Sequence, residues 1–203
     1  MFWAGNAAII SLFVFLISVS RVRTSEVLQF KDLFTTVTGL ALLSLVSGFT
    51  LQRFSGLISA SVLLGFAYPP SVLSSFGNYG SIMAAKTSTA LHLGEIEGYF
   101  SRNPPFTEMA SLFLTAPIVG VLINLFGVAV VYLVSGLKIG LSYPLILSYP
   151  FMALFIMLYS YTISYFLFRW NIDPDSVAIP LISNNSDIFG TIYVVLIAKM
   201  MVG

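Results

Sequence analysis

Long apolar runs separated by short polar stretches set the pattern of this chain. Phe2 to Ser20 is the first run and is followed by Arg21 and Arg23, with a polar linker reaching Asp32. Leu33 to Leu51 is the second, ending at Arg53; Met109 to Leu137, Leu141 to Phe168 and Ser176 to Ala198 are the fourth, fifth and sixth. A helix crosses a bilayer in roughly 20 residues at about 1.5 Å each, so each run predicts one span. The third region, Phe54 to Ala85, is too long and irregular for one straight helix: Pro69 and Pro70 interrupt it, and Gly77 and Gly80 flank Asn78 and Tyr79. A broken or kinked span is expected there, because backbone groups freed by proline persist at membrane depth only inside protein or along a cavity. Lys86 to Glu108 is the most polar stretch and contains Pro104 and Pro105, and predicts an aqueous loop with a short amphipathic segment. The expected fold class is therefore an all-α integral membrane protein with six transmembrane helices, at least one of them broken.

Composition narrows the function classes. The 203 residues are 58% hydrophobic and 8% charged, with a mean hydropathy of +0.96, far from a soluble domain with about 25% charged residues. Too few polar residues remain for a second, aqueous domain. A net charge of +1 and the lack of any Lys/Arg run argue against a nucleic-acid partner. The absence of cysteine excludes disulfides and thiolate metal sites. No basic residue precedes the first run, which therefore reads as a retained helix rather than a secretory signal. Arg21, Arg23, Lys31, Lys86, Arg102 and Arg169 fall on one side of the six-span arrangement, and Arg53, Lys138 and Lys199 on the other. The richer side should be cytoplasmic, which places both termini of this multi-pass cell-membrane protein outside the cytoplasm.

Asp187 is the residue that demands explanation. The first half of the last span carries Ser183, Asn184, Asn185, Ser186 and Asp187, and at helical spacing Pro180, Ser183, Asn184, Asp187 and Thr191 share one face. Leu181, Ile182, Ile188 and Ile192 cover much of the remainder. A charged Asp near the bilayer centre costs about 2.5 to 3.5 kcal/mol on insertion scales, so the stripe should face protein or water rather than lipid. Oxygen-rich neighbours favour a hard divalent cation, while interhelical hydrogen bonding as structural glue is the plainer alternative. Asp173 and Asp175 stand at the start of the same helix, where carboxylates complement the helix dipole. His92 and Glu95, at i and i+3, have metal-ligand spacing, although a lone histidine among charged neighbours is more often a solvated loop residue. Asn124, Tyr159, Tyr161 and Tyr165 are expected to bond between helices or anchor at the interface. The string GNYG lacks the flanking threonine and valine of a potassium filter.

Two segments carry a family resemblance. DPDSVAIPLISNNSD, Asp173 to Asp187, resembles the last-helix signature of the MgtE magnesium transporters and their eukaryotic solute-carrier relatives. GNYGSIMAAKTSTALHLGEI, Gly77 to Ile96, resembles their glycine-asparagine motif. The resemblance implies a division into residues 1–30, an additional N-terminal helix and linker, and residues 31–203, a five-helix MgtE-like membrane domain. It further implies divalent cation transport, with Mg2+ as the transported ion, along a homodimer axis lined by the last helix. Asp187 matches the pore aspartate that holds hydrated Mg2+, Ser183 a position whose backbone faces the ion, Asn78 the glycine-asparagine segment and Asp173 the acidic residue at the cytoplasmic start of the last helix. Asn184 is expected to add a contact near the ion, with Pro180, Gly77, Gly80 and Thr191 lining the path and Asp175 at its mouth. Lys86 stands where an arginine is usual, and Asn184 and Asn185 replace smaller or apolar residues. The cytoplasmic regulatory modules of bacterial members are not expected.

One carboxylate per chain matches a divalent ion poorly, but a two-fold dimer brings two together. The competing readings are a proton- or sodium-coupled exchanger using Asp187, and a non-transporting structural membrane subunit. An enzyme is not expected, since no paired acidic metal motif, histidine cluster, S-x-x-K or G-x-S-x-G arrangement occurs.

Overall fold

The computed structural model describes residues 24–96, 98 and 104–202, all of whose regular elements are helical. Helix α1 spans Thr24–Ala60 and α2 spans Val62–Ala67; a π-helical stretch, Tyr68–Leu73, leads into α3, Ser74–His92. Helices α4, Pro104–Ser135, α5, Tyr143–Arg169, and α6, Pro174–Val202, complete the chain. By contact, residues 1–39 and 40–203 form two units. Within the first, the described part is the opening of α1, from Thr24 onwards. The first expected span, Phe2 to Ser20, lies outside the described residues.

Among the described residues three helices are long and apolar enough to cross a membrane: Pro104–Ser135, Tyr143–Arg169 and Val177–Met201. The second unit is inverted relative to a water-soluble protein. Large apolar side chains such as Leu114, Leu133, Leu147 and Phe151 lie on the outside, whereas Thr87, Ser88, Asn124, Ser160, Ser164, Ser186 and Thr191 are buried. That distribution suits a lipid surround, in which apolar surface has no reason to hide and polar groups are driven to find one another.

Helix boundaries differ from the sequence expectation in three places. The polar linker is helical from Thr24, because Glu, Gln and Lys are good helix formers and polarity alone ends nothing. The second helix does not stop near Arg53 but continues to Ala60; no proline lies in that stretch, and an isolated glycine such as Gly56 costs only about 1 kcal/mol. At Pro69 and Pro70 the expected interruption takes the form of π turns between α2 and α3, which accommodates prolines that cannot donate to the regular ladder. The predicted Lys86 to Glu108 loop is helical at both ends, α3 continuing to His92 and α4 starting at Pro104. There Lys86 Nζ donates to Glu108 Oε1 at 3.2 Å.

Helix α3 is the centre of the packing, lying against α5 and α6, while α5 also packs on α4. Its approach to α6 is close because glycine removes the side chain at the crossing. A Cβ on Gly80 would stand 2.6 Å from Ile182 Cγ2, 3.2 Å from Ile156 Cγ2 and 3.3 Å from Ser186 Oγ. Gly77 faces Ser183, and Gly190 of α6 returns the contact against Leu73 and Phe76. These pairings run in opposite chain directions, so α3 and α6 are antiparallel. Ser160 Oγ of α5 donates to the Gly80 carbonyl at 2.6 Å, tying a third helix to the same point. Around it Phe76 stacks on Tyr149 at 5.0 Å and meets Tyr193 edge-on at 5.5 Å. Asn124 behaves as the sequence suggests, its amide donating to the Ser142 carbonyl and its oxygen accepting from the Ser142 N–H, both at 3.0 Å.

Two turns bring the ends of α3 and α6 together. Gly94, at φ +71°, closes α3: its N–H donates to the Leu91 carbonyl and the Glu95 N–H to the Ala90 carbonyl. This double bond of a left-handed glycine cap stops the helix just past His92. Between α5 and α6, Asn171 adopts φ 57°, a left-handed conformation in which asparagine is several-fold enriched. The Ile172 N–H then folds back onto the Leu167 carbonyl at 2.9 Å.

Candidate cation sites on the last helix

The buried face of α6 is apolar or small: Ile182, Ser186, Gly190, Val194 and Ala198. The polar stripe sits off that face. Ser183 is exposed, Pro180, Asn184 and Asp187 are half-buried, and only Thr191 is buried. The stripe thus turns away from the protomer's own core.

Hydrogen bonding sorts these residues into two kinds. Asn184 Oδ1 accepts from Ser44 Oγ of α1 at 2.9 Å. Asn185 donates its amide to the Tyr159 hydroxyl of α5. Thr191 Oγ1 donates to the Asp187 backbone carbonyl at 2.7 Å, a bond within the helix. These are the interhelical and local bonds expected of polar groups in a membrane bundle. The Asp187 carboxylate is different: among the described residues no side chain bonds to it or pairs with it. The Ser186 hydroxyl, fully buried at the Gly80 crossing, also lacks a partner.

Asn78 occupies another flank. It is exposed and borders a cleft of about 250 Å³ between α3 and α4, with Ser75, Tyr79, Leu112 and Thr115. Gly77 and Gly80 serve the α3–α6 contact itself.

Asp173 and Asp175 are exposed at the start of α6, where Asp173 Oδ1 accepts from the Asp175 N–H at 3.1 Å and caps the helix. His92, at the end of α3, comes to 3.9 Å from Asp173 Oδ1 through Nε2. Ligand atoms of His92, Asp173 and Asp175 all lie within 4.8 Å of one another. The sequence paired His92 with Glu95, but Gly94 intervenes as the helix cap and the structure pairs His92 with the acidic residues of α6 instead. No local spacing announces that contact, since it joins segments far apart in the chain. From Asp173 to Asp187 is about 21 Å along the helix, so α6 carries one acidic position at its end and one well inside its span.

The Gly77 to Ile96 and Asp173 to Asp187 segments that suggested a family are thus packed as neighbouring antiparallel helices. No curated protein shows a significant match to the chain. A family model does: MgtE, described as a divalent cation transporter, matches residues 69–197. That stretch runs from the π turns to near the end of α6 and covers more than half of the chain, which therefore belongs to the MgtE family of divalent cation transporters.

Proposed function

We propose that the protein carries Mg2+ across the cell membrane as a homodimer, with Asp187 of each protomer facing the ion at the two-fold axis. The observation that carries this reading is the Asp187 carboxylate, half-buried inside a membrane-length helix and without a protein partner among the described residues, while Asn184 and Asn185 beside it are bonded to other helices. A carboxylate held at membrane depth needs a compensating charge. Two carboxylates across a dimer axis balance one divalent ion, and the hydration that Mg2+ gives up reluctantly suits carboxylates reached through its water shell. The outward tilt of Ser183 and Asp187 from the protomer core supports a path shared with a second copy.

In this reading Ser183 contributes its backbone oxygen near the ion, and Pro180, Gly77, Gly80 and Thr191 shape the wall. Asn184 and Asn78 stand at greater distance, Asn184 through its bond to Ser44 and Asn78 on the flank towards α4. Asp173 and Asp175 concentrate cations at the cytoplasmic mouth. Six spans, with residues 1–30 as an added helix and residues 31–203 as the transport domain, place both termini outside. The alternative of a structural subunit explains Asn124, Asn184 and Asn185, which are interhelical glue, but leaves Asp187 without a task.

The deciding measurement is Mg2+ uptake into proteoliposomes by wild type and Asp187→Asn, with dimer content checked by size exclusion. The expected result is assembly retained and uptake reduced by about 100-fold, equivalent to about 2.7 kcal/mol. Unchanged uptake would remove Asp187 from the path. Repeating the assay with and without proton or sodium gradients separates uncoupled flux from exchange.

A further inference from the structure

We propose that His92, Asp173 and Asp175 form a second metal site, one that takes a borderline transition ion such as Zn2+ in preference to Mg2+. It stands independently of whether ions pass Asp187. Three observations meet at the junction of α3 and α6. First, His92 Nδ1 lies 2.9 Å from the Ser88 carbonyl oxygen. A carbonyl only accepts, so Nδ1 carries a proton and, in the neutral ring, Nε2 keeps its lone pair. This is the outer-shell arrangement by which metal-ligating histidines are held in the correct tautomer.

Second, the ring is aimed. It packs edge-on against Phe168 of α5 at 5.3 Å, interplanar angle 79°, which leaves Nε2 directed at Asp173 Oδ1, 3.9 Å away. That separation is too long for a hydrogen bond. Two ligands of a tetrahedral ion with bonds of about 2.1 Å stand about 3.4 Å apart, so a bound ion would draw the two atoms about 0.5 Å closer. Third, ligand atoms of the three side chains all lie within 4.8 Å of one another, and the neighbouring cleft of about 280 Å³, bordered by His92, Phe168, Asn171, Ile172 and Asp173, leaves room for water to complete the coordination.

The ligand chemistry selects the ion. Mg2+ favours oxygen ligands and octahedral water, whereas imidazole nitrogen suits Zn2+, Co2+ and Ni2+. One nitrogen and two carboxylates, with an open position for water, is a donor set used by zinc. Placed at the end of α6 remote from Asp187, such a site would let a transition ion occupy the mouth without entering the span, and so distinguish it from the transported ion.

The test is Zn2+ binding to the purified detergent-solubilised protein, by titration calorimetry, in wild type, His92→Gln and Asp187→Asn. His92→Gln is expected to weaken Zn2+ binding by at least about tenfold, since even losing an outer-shell partner has that effect. Asp187→Asn is expected to leave the His92-dependent part of that binding unchanged. A second readout uses Co2+, whose visible absorption band on binding should be lost or shifted in His92→Gln. Equal Zn2+ affinity in wild type and His92→Gln, an unchanged Co2+ spectrum, or loss of Zn2+ binding in Asp187→Asn would each overturn the proposal. Failure of Mg2+ uptake to respond to Asp187→Asn would leave it standing.

Discussion

The two acidic positions of α6 sit in opposite surroundings, and the contrast explains what each can do. Asp187 lies within the span, half-buried, among oxygen-bearing neighbours whose hydrogen bonds are made to other helices. Asp173 lies at the helix end, exposed, with Asp175 beside it and an imidazole nitrogen opposite. Water screens the second setting and leaves little penalty for an empty site. The first offers no such relief, so a charge there needs a compensating partner. Both depend on one piece of scaffolding, the α3–α6 seam: α3 provides Gly80 at the crossing and His92 at its end, and α6 provides Asp187 and Asp173 along its length.

That shared seam can be broken at one end, at the other, or in the middle. The largest expected effect is Asp187→Asn on Mg2+ flux, about 100-fold with Zn2+ binding intact, measured in proteoliposomes and by calorimetry. Gly80→Val should act on both positions together. Its side chain cannot fit where a bare Cβ already meets Ile182 at 2.6 Å, and overpacking of this sort costs about 1 to 3 kcal/mol. A lowered melting temperature in detergent, with both flux and Zn2+ binding impaired, is the expected outcome. Gly77→Ala is the control, because its Cβ would meet only Ser183 Oγ at an ordinary 3.7 Å.

His92→Gln comes next, with the about tenfold loss of Zn2+ affinity described above and full Mg2+ uptake. Asn185→Ala removes the bond to Tyr159 and should lower stability by about 0.6 kcal/mol, the average for such bonds in membrane bundles, while leaving transport close to wild type. A large transport defect in that variant would blur the division between glue and ion-facing residues. An effect of the same small order belongs to Lys86→Met. Its ion pair with Glu108 is about half-exposed, and pairs of this sort contribute at most about 1 kcal/mol.

A charged group in an apolar run is visible in one dimension, so the sequence puts Asp187 inside a span, but it does not show that Ser183 is exposed and Thr191 buried on the same stripe. Helix ends are less legible in the sequence. Polar residues from Thr24 onwards and at Lys86 predict loop, although lysine and glutamate extend helices readily, and the chain in fact stops α3 with Gly94 in a left-handed turn. The role of each asparagine was also beyond a linear reading. Asn124, Asn184 and Asn185 look alike in the sequence, and their partners Ser142, Ser44 and Tyr159 come from other segments.

What the order of residues determined alone is the membrane solvent, the helical class and the place of one carboxylate inside a span, since each follows from local hydropathy and spacing. Only the folded arrangement decided which polar groups bond to one another, that glycines at 77 and 80 lie on the α3 face turned to α6, and that His92 meets Asp173. The reason is physical: hydropathy is a property of a segment, whereas hydrogen bonding, close approach and metal ligation are properties of pairs, and most of these pairs are brought together by folding across long stretches of chain.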